Sequence, residues 1–286
     1  MKNPVLDRLQ RYGIRPRKEL GQHFLMDQNI LSSICRLVDA QPGDTVLEYG
    51  PGIGVLTEQL LGSGARVVGI ELDEEMAAVL RGELSGYENF RLLHTDLAHL
   101  DTIKLIEELG VERIKLVGNL PYQLTSQVLF GVLELGAYVH SAVFMVQREV
   151  AERIVVAPGS RQYGILSVLL NTFHTVQLEL RVKPGSFVPP PRVDSAVLRI
   201  VPRAELLLPW EERQALIYLV KSVFNERRKV LRNTLKKFFE LDAGSLESIA
   251  EVSGLDLGRR PETLSAEDFV RLLHAIPAAS SYGSEN

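Results

Sequence analysis

A chain of 286 residues, 45% hydrophobic and 24% charged, has apolar material for one large core and a smaller second one, in the proportions of an ordinary globular protein. One cysteine excludes an internal disulfide framework, no Cys/His cluster has zinc-ligand spacing, and no apolar run nears the roughly 18 residues that cross a bilayer. The start, Met1-Lys2-Asn3-Pro4, lacks the apolar stretch of a signal peptide, so the expectation is a monomeric cytoplasmic protein without a structural metal.

The net charge of −4 argues against a nucleic-acid partner on average, but the average hides two basic segments. Residues 1–18 carry Lys2, Arg8, Arg11, Arg15, Arg17 and Lys18 against Asp7. Residues 221–237 carry Lys221, Arg227, Arg228, Lys229, Arg232, Lys236 and Lys237 against Glu226. Local patches, not totals, attract phosphate. Solvated faces of helices are the alternative reading.

In chain order, Ile30, Leu31, Ile34, Leu37 and Val38 recur at helical spacing behind Asp27, which predicts a capped helix over 27–39. Strands are predicted over 45–49, 66–71, 90–93, 113–118 and 141–146. Helices are predicted over 55–61, 73–81, 102–109 and 124–135. This alternation implies a parallel sheet covered on both faces. Two longer segments, 172–182 and 193–201, suggest a closing antiparallel pair. Beyond Pro202 the pattern becomes purely helical, with helices over 210–224, 226–239, 245–252 and 266–274. The expected organisation is a domain over 1–205, a helical domain over 206–276 and a disordered tail over 277–286.

Four strand ends carry candidate chemistry. Glu48-Tyr49-Gly50-Pro51-Gly52-Ile53-Gly54 follows the first strand and opens a helix. Its G-x-G-x-G spacing departs from the G-x-G-x-x-G of dinucleotide sites, and Glu48 suits a cationic or amino-acid ligand better than pyrophosphate. Glu71, at the end of the next strand, can accept hydrogen bonds from both hydroxyls of a ribose, and Asp96 can accept from the exocyclic amine of a purine. Either acid alone reads equally as a cap or a turn former. Asn119-Leu120-Pro121-Tyr122, after a fourth strand, combines a side-chain amide, a carbonyl held by proline and an aromatic face. That set can grip the amino group of a flat base, or simply turn a strand into a helix.

Taken together, Gly50-Pro51-Gly52-Ile53-Gly54, Glu71, Asp96 and Asn119-Leu120-Pro121-Tyr122 resemble the S-adenosylmethionine-dependent N6-adenine methyltransferases. Gly21-Gln22-His23-Phe24-Leu25 and Phe187-Val188-Pro189-Pro190-Pro191-Arg192-Val193-Asp194-Ser195 narrow the resemblance to the rRNA adenine dimethyltransferase family. Within it, they resemble the bacterial branch that modifies two adjacent adenosines near the 3′ end of 16S rRNA in the small ribosomal subunit. The resemblance implies a Rossmann-like class I methyltransferase sheet, mostly parallel with an antiparallel closing strand, plus a small all-helical C-terminal domain for RNA or ribosome binding. It implies S-adenosyl-L-methionine as cofactor. Gln22, His23 and Leu25 would line its methionine end, Glu48, Gly50 and Gly52 its floor, Glu71 with Leu72 its ribose, and Asp96 with Leu97 its adenine. Asn119 would touch cofactor and target, Leu120 and Pro121 would present a carbonyl to the target amine, and Tyr122 and Phe187 would stack on the target base. Competing readings are the macrolide-resistance 23S rRNA methyltransferase, a non-catalytic ribosome-assembly factor and a nicotinamide-dependent oxidoreductase.

Overall fold

Strand residues such as Val46, Leu47, Val67, Val68, Leu116 and Val117 are at most 1% exposed, because parallel strands joined by helices are covered on both faces. The computed structural model describes residues 3–17 and 21–277. Lys2, Lys18 and the expected tail, apart from Pro277, lie outside them. The chain forms two compact units, one of residues 1–151 with 177–201 and one of residues 152–176 with 202–286.

The first unit begins with α1 (Pro4–Arg11), β1 (Phe24–Leu25), α2 (Gln28–Val38), β2 (Thr45–Tyr49) and α3 (Val55–Leu61). It continues with β3 (Arg66–Glu71), α4 (Glu74–Glu83), β4 (Phe90–His94), α5 (Thr102–Leu109), β5 (Ile114–Asn119), α6 (Thr125–Leu135) and β6 (Val139–Gln147). After α7 (Arg148–Val155) and α8 (Ile165–Phe173) come β7 (His174–Val182), β8 (Phe187–Val188) and β9 (Ser195–Pro202). The sheet order is β4-β3-β2-β5-β6-β9-β7. Strands β2 to β6 pair in parallel, and β9 runs antiparallel to β6. Strand order reverses at β2, which has β3 on one side and β5 on the other. In such sheets ligands bind beyond the carboxyl ends at that point. β1 and β8 form a separate antiparallel ribbon, with Leu25 opposite Phe187. Asp27 caps α2 as expected, accepting from the Asn29 and Ile30 amides, and Asp73 caps α4, accepting from those of Glu75 and Met76.

The second unit holds α8 with α9 (Arg213–Asn225), α10 (Leu231–Phe238), α11 (Ala243–Ser253) and α12 (Ala266–Ala275). A single cut near 205 therefore misses residues 152–176. Their helix α8 is apolar on nearly every side and needs helical neighbours, which no short-range signal announces. Helix 226–239 is also shorter than expected: residues 226–230 form a turn, and α10 starts at Leu231. The Arg259 and Leu257 carbonyls receive the Leu231 and Arg232 amides, which replaces a side-chain cap.

The basic N-terminal segment is not the free arm that its charge suggests. It contains α1, and Arg8 turns inward, 4% exposed. Arg8 donates to Glu58 at 2.6 Å and to the Ile53 carbonyl at 2.9 Å, and lies 2.9 Å from a Glu83 oxygen. Arg11 pairs with Asp7 and Glu83, and Arg17 with Asp73 and Glu75. These three arginines answer the protein's own acids. Arg8→Ala removes the more buried of the two arginines that hold the Glu83 carboxylate, 11% exposed, and leaves it only the exposed Arg11; breaking a buried pair costs about 3–5 kcal/mol. Urea denaturation should show a loss of that order. A loss below about 1 kcal/mol would mean that water replaces the guanidinium.

Candidate active site at the carboxyl ends of the sheet

The loop after β2 forms the floor. Gly50 donates to the Ile70 carbonyl at 2.9 Å, which ties the turn to β3. Gly52 has a φ of 56°, and a side-chain carbon there would lie 3.1 Å from the Phe24 ring. Both constraints favour glycine. Gly118 on β5 is equally constrained, since a Cβ would stand 2.6 Å from the Tyr49 carbonyl oxygen. Glu48 is 2% exposed, and one of its carboxyl oxygens has no partner among the described residues. Burial pushes its carboxyl up to about 7, Thr57 opposes this, and the Glu71 charge adds to it.

Glu71 accepts from the Gly52 amide and from the Asp73 amide, each at 2.9 Å. One carboxylate thus joins the glycine loop to the start of α4. Burial raises its pKa against those two bonds. Leu72 is 63% exposed at the rim, and its carbonyl meets His94 Nε2 at 3.0 Å. Asp96 caps a short turn over Leu97–His99 by accepting from the Ala98 amide at 2.8 Å. The capping role open to Asp96 in the sequence is real, and the same residue borders the cavity.

Asn119 ends β5. Its Nδ2 donates to the His23 carbonyl at 2.9 Å. Because a carbonyl only accepts, the amide nitrogen must face His23, which turns Oδ1 the other way as an acceptor. Leu120 donates from its backbone to the Met145 carbonyl at 3.1 Å and is 2% exposed, and Pro121 continues at φ −53° and ψ 130°. The Leu120 carbonyl therefore has a set direction. His23 Nδ1 meets the Pro189 carbonyl at 2.7 Å. Gln22 donates to Asp73 at 2.7 Å and accepts from the Arg17 amide at 2.9 Å.

These parts enclose a cavity of about 1120 Å³. Gln22, His23, Leu25, Glu48, Gly50, Gly52, Glu71, Leu72, Asp96, Leu97, Asn119, Leu120 and Pro121 all line it. Tyr122 stands beside the lining, half-buried, its hydroxyl 3.0 Å from Ser195 Oγ. Phe187 is placed differently from the expectation of a free stacking face. It is 3% exposed and packs in the apolar core opposite Leu25. Among the lining residues to which the sequence reading gave no site role, Asp73 makes the most polar contacts. Asp73, expected as the first residue of helix 73–81, instead caps α4 with one oxygen, and its second oxygen holds Gln22 and Arg17 through contacts that cross more than fifty positions.

The family model for ribosomal RNA adenine dimethylase matches residues 13–276. The chain belongs to this family. It is similar to the ribosomal RNA small subunit methyltransferase A of Anaeromyxobacter sp. (strain K), 44% identical over 274 residues, which covers 92% of this chain and 94% of the relative. The protein of the same name from Geobacter metallireducens is 41% identical over 267 residues, with 93% and 97% covered. Among solved structures, the 23S rRNA methyltransferase ErmE superimposes with a TM-score of 0.67 at 27% identity, over 88% of this chain and 99% of that one. A dimethyladenosine transferase from Plasmodium falciparum, with a TM-score of 0.73 at 24% identity over 87% and 96%, shares the fold. The sheet is that of a Rossmann-like class I methyltransferase.

Glu48 makes a measurable prediction. Its carboxyl titrates near 7 in the folded chain against an ordinary 4.5, so its ionisation costs more in the folded state. Stability is untouched below pH 4.5 and falls as pH rises to 7, by up to about 3 kcal/mol at about 1.4 kcal/mol per unit. Glu48→Gln, always neutral, should match the wild type at pH 4 and exceed it above pH 7 in the ligand-free protein. Urea denaturation at both values tests this, and equal stability at pH 8 would mean that the carboxyl is solvated.

Proposed function

We propose that the chain transfers methyl groups from S-adenosyl-L-methionine to N6 of two adjacent adenosines near the 3′ end of 16S rRNA, yielding N6,N6-dimethyladenosine during biogenesis of the small ribosomal subunit in the cytoplasm. The family supports rRNA adenine dimethylation. The names of the relatives at 41–44% identity support the small subunit over the large one. The carrying observation is the Asn119 amide, whose Nδ2 is committed to His23 and whose Oδ1 is thereby left as an acceptor at the cavity wall.

The residues fit a cationic cofactor. Glu48 presents a buried carboxyl oxygen with no partner among the described residues, and Glu71 adds a second acid a strand away. A ligand ammonium near Glu48 would offset its desolvation and draw its pKa back down. When bound, S-adenosylmethionine supplies an activated methyl group on a positive sulfonium. Glu71 would accept from the ribose hydroxyls, Asp96 from the adenine amine, and Gln22, His23 and Leu25 would border the methionine end.

The rest is positioning. The amine of adenine is a weak nucleophile because its lone pair is delocalised into the ring, and a duplex hides it, so the base must leave its stack. Asn119 Oδ1 and the Leu120 carbonyl would each take one N–H of that amine and turn its lone pair toward the cavity. Tyr122 supplies a stacking face, worth about 1–3 kcal/mol per base. Phe187, buried in the core opposite Leu25, offers that base no second face in this structure. Preorganised acceptors and orientation account for catalysis of this kind. In the helical unit, Arg228, Lys229 and Arg232 are exposed around the start of α10 and suit RNA phosphates.

Asn119→Ala should lower the rate of methyl transfer to unmethylated small subunits by at least about 100-fold, the usual cost of a transition-state hydrogen-bonding group, with an unchanged melting temperature. Near-normal transfer from labelled donor would remove Asn119 from the mechanism. Reversing two charges with Arg228→Glu and Lys229→Glu should weaken RNA binding and flatten its salt dependence; an unchanged salt slope would exclude that turn as a phosphate contact.

A further inference from the structure

Ser195 is 1% exposed at the first position of β9, and its Oγ lies 3.0 Å from the Tyr122 hydroxyl. Nothing in the proposed chemistry requires that contact, and its geometry is specific. The phenolic oxygen lies on the long axis of the ring. A bond to it sets where that axis points, but leaves the ring free to turn about it. The His23 ring supplies the missing restraint: it stacks near Tyr122 with centroids 6.3 Å apart and planes 26° apart. Axis and plane together define a platform.

Ser195 is itself held firmly. It sits opposite Gln147 in the antiparallel β6–β9 pairing. The preceding Asp194 carbonyl accepts from the Arg148 amide at 2.9 Å. The Asp194 carboxylate takes Arg148 at 2.6 Å and Lys183 at 2.8 Å. By contrast, Tyr122 rides on a short turn that follows Pro121. The hydroxyl bond therefore ties the base-binding turn to the sheet.

We infer that Ser195 is a positioning residue for methyl transfer: it aims the Tyr122 ring so that a base stacked on it brings its amine to Asn119 Oδ1 and the Leu120 carbonyl. The inference rests on the proposed methyl transfer to adenine. Independently of any reaction, burial holds the Tyr122 phenol above its ordinary range while the Ser195 bond works against that rise.

The test is a mutant cycle on the full chain, with labelled S-adenosylmethionine and unmethylated small subunits under single-turnover conditions. Ser195→Ala and Tyr122→Phe should each lower the transfer rate about five- to tenfold, the scale of one hydrogen bond. The double variant should be no slower than either single one. Donor affinity by calorimetry should stay unchanged, which separates aim from general damage to the fold. In the free protein, Ser195→Ala should raise the Tyr122 titration midpoint, followed by NMR of ring-labelled tyrosine. A double variant slower by the product of the two single effects overturns the inference, as does Ser195→Ala indistinguishable from wild type. Wild-type protein that transfers no methyl group to RNA overturns the proposed function and the inference with it.

Discussion

The hydrogen bond from Asn119 to the His23 carbonyl is the contact on which the candidate site depends. It joins the end of β5 to a segment 96 positions earlier in the chain. An asparagine amide is nearly symmetric in shape, so only its partners decide which end is donor and which is acceptor. With the donor end committed to a carbonyl, the acceptor end is aimed without further cost. The same His23 reaches Pro189 through its ring nitrogen and faces Tyr122 through its ring plane. One residue thus brings the strand end, the segment before β1 and the proline-rich loop to a common frame.

Electrostatics divides the site into two zones. Around the glycine loop, Glu48 and Glu71 are buried without a basic partner among the described residues, and both carboxyls are raised by that burial. Such an arrangement is costly in the empty protein and is relieved by a cation, which is the usual exchange of stability for function. Around Asn119 and Tyr122 the groups are neutral, as suits an aromatic base whose charge changes little until it reacts. Zones of this kind let two ligands share one cavity without competing for the same polar atoms.

The arginines near the N-terminus show how charge counting misleads. In sequence they look like an RNA-binding arm. In the fold, Arg8 stitches α1 to α3 and α4, and Arg17 with Gln22 ties the strap before β1 to Asp73 at the head of α4. Their role is to hold one wall of the cavity. The cations around the start of α10 differ in that Arg228, Lys229 and Arg232 stand exposed on a turn and a first helical turn.

Local pattern alone determined most of the first unit. The strand and helix limits from 45 to 135, to within a residue or two, and the Asp27 cap follow from periodicity and short-range chemistry, which act over a few residues and so are written in consecutive letters. The candidate site positions were marked in the sequence as well, because Glu48, Glu71, Asp96 and Asn119 all lie at or just past strand ends, and strand ends of a parallel sheet converge. Tertiary structure decided what those residues do to one another. Helix α8 joins the helical unit because its apolar surface finds cover only among distant helices. Glu48 acquires its raised pKa from a desolvation that no neighbouring residue imposes. Phe187 lies in the core because Leu25, 162 positions away, supplies its partner strand. Asn119, Tyr122 and Ser195 gain orientation from bonds spanning 73 to 96 positions. Orientation of a side chain is a property of its contacts, and contacts at that separation exist only once the chain has folded.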